Sequence, residues 1–197
     1  MNKDVCLEAF SLARLLCHQY PSDSTRNLLA LFCFHVSRIP AKTEKGRLVA
    51  FFDQDRNKWN KSLIRLGFHY LRKPGIISRI YLETVMVSRY MTVSEFTPGD
   101  WADMVKLYEM MQLVSDSPIV RLNYCFCLSK IGETGKALAV LSEIEKELPC
   151  GHLYFSLVKA NLLKEVRPEE SHDLYTLVMN KMNHKIRKEY LNELIRL

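Results

Sequence analysis

A chain of 197 residues with 48% hydrophobic and 25% charged residues has material for one sizeable domain or two small ones, and this mix excludes disordered, collagen-like and low-complexity architectures. Seven Gly and seven Pro supply few tight turns, so long helices are expected in place of a many-stranded sheet. Lys and Arg number 28 against 22 Asp and Glu, and the resulting net charge of +6 leaves room for an acidic partner without requiring nucleic acid.

Leu7, Phe10, Arg14 and Cys17, with Leu12, Leu15 and Leu16 between them, recur at helical spacing and predict a first helix over Asp4 to Tyr20, ended by Pro21. Ser22-Asp23-Ser24 supplies a cap for a second helix through Leu28, Leu31, Phe32, His35 and Val36, halted before Pro40. So short a connection makes the two an antiparallel hairpin. After a polar turn from Ala41 to Gly46, the run Leu48 to Phe52 reads as a brief strand or an extended buried connector, followed by Asp53-Gln54-Asp55-Arg56. A third helix is expected from Asp55, carrying Trp59, Leu63, Leu66 and Tyr70 and closed by Pro74-Gly75; a fourth runs from Ile77 to about Met91. Thr97-Pro98-Gly99-Asp100 opens a fifth helix, with Thr97 as cap and Pro98 in the first helical position, and carries Trp101, Val105, Tyr108 and Gln112.

The same device recurs at Ser117-Pro118, ahead of a buried stripe of Val120, Tyr124, Cys127, Leu128 and Ile131. Gly132 to Gly135 forms the turn into a partner helix, Lys136 to Leu148, with Leu138, Leu141 and Ile144 inward. A shift of 33 residues lays Val120 on Leu153, Leu122 on Phe155, Tyr124 on Leu157, Cys127 on Ala160, Leu141 on Leu174 and Ile144 on Leu177. A helix-turn-helix repeat of that length has the tetratricopeptide period. A last helix, His184 to Leu197, would cap the stack with a basic outer face. The expected fold is all-α, antiparallel helical hairpins stacked in a tetratricopeptide-like right-handed array, with an N-terminal helical part over 1–112 and the hairpins and capping helix over 113–197 as one continuous domain.

The longest apolar run, Leu28 to Val36, falls short of the roughly 20 residues a bilayer requires and contains His35, so no transmembrane helix is expected. Asp4 and Glu8 interrupt any secretory signal, which places the chain in the cytoplasm and its six cysteines as reduced packing residues. No GxSxG, HExxH, Walker-type or GxGxxG pattern is present, so neither an enzyme nor a cofactor is expected. Cys125 and Cys127 with His152 are a conceivable metal set, but residues two apart on a helix diverge, and both thiols read as core. His18 and His35, late in their helices, read as packing residues in favourable contact with the dipole.

Asp53, Gln54, Asp55, Arg56 and Trp59 form the densest polar cluster beside an apolar run. They serve either as caps and anchors of the third helix or as a recognition corner for a protein partner. Lys58, Lys61, Arg65, Arg72 and Lys73, and again Lys181, Lys185, Arg187 and Lys188, make basic faces that need only water; nucleic-acid binding through them is the alternative function.

These residues resemble a known family. Leu7 to Leu16, then Leu29-Ala30-Leu31 with His35, Arg38, Pro40 and Ala41, then Leu48-Val49 leading into Asp53-Gln54-Asp55-Arg56 and Trp59, are similar to the C-terminal extension of certain bacterial extracytoplasmic-function sigma factors. Asp100-Trp101, Leu107-Tyr108, Ser117-Pro118, Asn123, His152-Leu153, Ala160 and Leu162-Leu163 follow in that extension's order, whereas Leu82 to Tyr90 departs from the family's small-residue helix ending in His. The resemblance implies a tetratricopeptide-like module joined to sigma regions that bind RNA polymerase and read promoters. Those regions are absent from this sequence, so the chain is expected to be an excised domain or a separated gene product. It would regulate transcription initiation by packing on the promoter-binding regions, on the polymerase or on a regulatory protein, with DNA touched only through the missing regions.

Overall fold

Short polar side chains decide where most helices begin. The computed structural model describes residues 3–44, 47–49, 51 and 53–181, and among them nine α-helices form: α1 (Lys3–Gln19), α2 (Asp23–Ser37), α3 (Lys61–Tyr70), α4 (Arg79–Thr92), α5 (Pro98–Ser115), α6 (Pro118–Lys130), α7 (Thr134–Ile144), α8 (Leu153–Leu163) and α9 (Pro168–Lys181). Ser22 and Thr25 exchange bonds in a capping box at the start of α2, and Thr97 and Asp100 do the same at α5. Ser78 and Ser117 accept from the Tyr81 and Val120 amides. His152 caps α8, its Nδ1 accepting from the Phe155 amide at 3.2 Å. Strand character is confined, among the described residues, to the two-residue segments Thr43–Glu44 and Arg47–Leu48.

The third helix differs from the sequence expectation. Asp55 caps only a single 3-10 turn, Arg56–Lys58, by accepting from the Asn57 amide; Trp59 then returns to extended backbone, and Asn60 caps α3 by accepting from the Leu63 amide at 3.0 Å. Two capping side chains five residues apart split what the periodicity joined. The turn after α6 is Ile131-Gly132-Glu133, with Gly132 at φ +82° where a side chain would be strained, and Gly135 lies inside α7. The expected capping helix His184 to Leu197 lies outside the described residues.

Internal packing divides the chain into two units, residues 1–45 with 49–95 and residues 46–48 with 96–197. The boundary anticipated at 112 falls inside α5, whose Met104 and Met111 belong to the second unit's core.

In the first unit α2 is the hub. It packs on α1, α3 and α4, and its Leu29, Ala30, Cys33 and Phe34 are almost fully shielded from solvent. Gly67 lets α3 lie against it: a Cβ there would stand 2.5 Å from the Phe34 ring. Asn27 ties the same helix to the chain beyond α3. Its Nδ2 donates to the Arg72 carbonyl and its Oδ1 accepts from the Arg72 amide, both at 2.9 Å, and Thr84 Oγ1 on α4 donates to the Asn27 carbonyl at 3.1 Å.

In the second unit α6 packs between α5 and α7, α8 packs on α9, and α6 and α7 both touch α8. Cys125 Sγ donates to the Ala137 carbonyl at 3.4 Å, and Ser171 Oγ to the Ala160 carbonyl at 2.7 Å, so each helix pair closes over small buried residues. Burial departs from the 33-residue alignment at one of its pairs. Leu177, laid on Ile144 by a 33-residue shift, is 39% exposed, whereas Val178 is fully buried as Ile144 is. Val178 lies 34 residues after Ile144, and Ala160, fully buried like Cys125, lies 35 residues after that cysteine.

Candidate functional site

The polar corner singled out by the sequence is built around an aromatic stack. Trp59 is 3% exposed, with its ring beside Phe51 (5.7 Å between centroids). Phe51 in turn meets Tyr90 edge-on at 4.8 Å. Two guanidinium groups lie on this stack: Arg38 sits 3.9 Å from the Phe51 centroid and Arg56 4.6 Å from that of Trp59. Neither is held by a carboxylate among the described residues. Arg38 Nε donates to Gln54 Oε1 at 3.2 Å, and Arg56 donates to the carbonyls of Tyr90 and Val93 at the end of α4, where a cation complements the helix dipole. Burial, and then the neighbouring Arg56, push the Arg38 guanidinium down to about 10, and burial lowers Arg56 as well.

Of the five residues proposed for recognition, three therefore face inward. Gln54 is buried, bridging Arg38 and the Val49 carbonyl; Arg56 fastens the end of α4; Trp59 is core. Asp53 and Asp55 remain exposed, with Asp55 capping the 3-10 turn. The structure brings all five to one corner of the first unit, where the described residues include no nucleophile hydrogen-bonded to a base.

The basic faces are only partly open. Lys58 pairs with Glu44 at 2.9 Å, Lys61 donates to the Arg56 carbonyl and Arg65 to Ser62. Arg72, Lys73 and Lys181 are exposed, while Lys185, Arg187 and Lys188 lie outside the described residues.

A second surface was missed by the sequence reading. Leu12, Leu15, Leu16 and Tyr20 on α1 are 65%, 55%, 39% and 71% exposed. With Leu28 and Phe32 of α2 they border an apolar groove of about 500 Å³. The signal was in the α1 pattern itself: Leu7, Phe10, Leu12, Leu15, Leu16 and Cys17 spread over more of the helix circumference than the roughly 100° stripe one core contact needs.

The cysteines behave as packing groups. Burial pushes the thiols of Cys33, Cys125 and Cys127 up to about 12, and among the described residues no three His, Cys, Asp or Glu side chains gather as a metal cluster. Iodoacetamide applied to the native protein is expected to modify exposed Cys150 rapidly and to spare Cys17, Cys33, Cys125 and Cys127, as peptide mass mapping would record. Modification of Cys125 at the rate of Cys150 would contradict the burial described here. Among the described residues no helix is long and apolar enough to cross a membrane.

Comparison with known proteins adds two matches. Residues 1–74 match a family of unknown function (DUF6596). An uncharacterized protein of Rhizobium meliloti (strain 1021) is 26% identical over 174 residues; the alignment covers 84% of this chain and 40% of the relative. The chain thus spans less than half the length of that relative. No solved structure matches it.

Proposed function

We propose that this chain is a protein-interaction module of bacterial transcription initiation, of the kind that extends certain extracytoplasmic-function sigma factors. It would dock on the promoter-binding regions, on RNA polymerase or on a regulatory protein. The observation that carries this reading is the apolar flank of α1, where four large side chains stand in water beside a groove although the first unit has a closed core of its own. Exposed apolar area of this kind is characteristic of a surface that a partner covers. The order of motifs from Leu7 to Trp59 supplies the link to sigma factors, and a relative with more than twice this chain's length is in keeping with a module that works beside other segments.

In this reading the Asp53 to Trp59 corner orients the contact. Arg56 and Trp59 fix its frame, and Asp53 and Asp55 face the partner. The second unit is read as two tetratricopeptide-like hairpins, α6 with α7 and α8 with α9, on the strength of the small residues that close each pair.

Reconstituted transcription tests the function. Run-off transcription by the RNA polymerase holoenzyme of the same organism is expected to change several-fold when the chain is added in excess. Leu12→Asp, at an exposed position, is expected to abolish the response while leaving the fold intact. Unchanged transcript levels, with no co-sedimentation of the chain with polymerase or sigma regions, would overturn the proposal.

A further inference from the structure

The opposite flank of α1 carries a different chemistry. Arg14 and His18, four residues apart and so on one helix face, line a groove of about 850 Å³ between α1, α2 and α3, and Arg26 of α2 joins them. The groove's apolar lining includes Leu15, buried Leu29 and half-buried Tyr70. No carboxylate lines it. Several cations elsewhere in the chain are paired with carboxylates: Arg79 with Glu83, Arg121 with Asp116 and Glu147, and Lys159 with Glu145 and Glu170. The side chains of Arg14, His18 and Arg26 make neither an ion pair nor a hydrogen bond among the described residues.

Two unpaired guanidinium groups and an imidazole around an apolar lining define what complements them. A phosphate backbone would neutralise the cations and leave the apolar surface wet, whereas a purely apolar ligand would desolvate the cations without compensation. An amphipathic helix bearing carboxylates at i and i+4 answers both, because its acids match the spacing of Arg14 and His18 while its apolar stripe covers the lining. We infer that the α1–α2–α3 groove is a docking site for an acidic amphipathic helix of a partner protein. The inference rests on the module reading above and adds the partner's chemistry, at a groove that shares Leu15 with the Leu12 flank but does not include Leu12.

The test uses the full chain and a fluorescein-labelled synthetic helix of about 18 residues, long enough to hold helical structure alone, with leucines along one face and glutamates flanking them. A control peptide carries lysine in place of each glutamate. Fluorescence anisotropy is expected to give the acidic peptide at least tenfold tighter binding, weakening as salt rises. The double variant Arg14→Glu, Arg26→Glu is expected to reverse that preference, with circular dichroism verifying its fold, since both side chains are exposed. Leu12→Asp should leave the peptide affinity unchanged, which separates this groove from the flank probed by transcription. Equal binding of the acidic peptide by wild type and double variant overturns the assignment, as does binding of neither peptide by the wild type. Both results leave the transcription experiment to judge the module reading by itself.

Discussion

Replacing Trp59 with alanine is expected to destabilise the first unit by about 3–5 kcal/mol, the range found when a buried aromatic is truncated and the cavity only partly collapses. Trp59 packs with Ala30, Phe34, Ala41 and Met91 and carries the Arg56 guanidinium on its face. Its removal therefore empties the core and also frees the side chain that caps the end of α4. Trp59→Phe should cost far less, because it keeps a ring under Arg56 and the indole Nε1 finds no partner among the described residues. Urea unfolding followed by circular dichroism measures both. A loss below about 1 kcal/mol for the alanine variant would place Trp59 outside the cooperative core.

Asn27→Leu keeps the branching and heavy-atom count of a fully buried side chain while enlarging it somewhat, and is expected to cost about 2–4 kcal/mol. The leucine cannot replace either bond to the Arg72 backbone, so an amide and a carbonyl are left unmatched, at about 1–3 kcal/mol for each group that stays away from water. Arg72 itself is exposed, and hydration of the relaxed segment holds the figure below the sum of two full penalties. Asn27→Asp retains the acceptor for the Arg72 amide but sets a carboxylate oxygen against the Arg72 carbonyl and buries a charge, so its urea midpoint should also fall below that of wild type. An Asn27→Leu protein as stable as wild type would remove the clamp from the account of how α2 and the chain beyond α3 are joined.

The helices were legible because their caps are local. Ser22, Thr97-Pro98 and Ser117-Pro118 fix three starts from a few residues of sequence, and the structure places those starts where the sequence put them. The break at Trp59 was not legible, since an apolar period of 3.6 runs through it and only the backbone bonds reveal that Asn60, not Asp55, opens α3. At Leu177 the 33-residue alignment meets an exposed side chain beside the buried Val178. A shift of 33 aligns apolar letters, whereas the bonds from Cys125 to Ala137 and from Ser171 to Ala160 join the helices of each pair through small residues that hydropathy does not single out.

The corner was located in the sequence by its density of charge, yet its inward face could not be foreseen. Arg56 finds its acceptors at Tyr90 and Val93, more than thirty residues away, and such a pairing leaves no local trace. The α1 flank was overlooked because leucine in a helix is taken for core until the neighbouring helices are counted.

The hub position of α2 distributes freedom unevenly through the first unit. Its inner side chains answer to three neighbours at once, so a substitution there must satisfy several contacts together, while the outward positions of α1 answer to solvent alone. Leu12, Arg14, Leu15 and Tyr20 can each be exchanged without disturbing the core. Paralogues built on the same frame could therefore acquire new binding preferences by rewriting one outer helix, with the scaffold beneath left as it was.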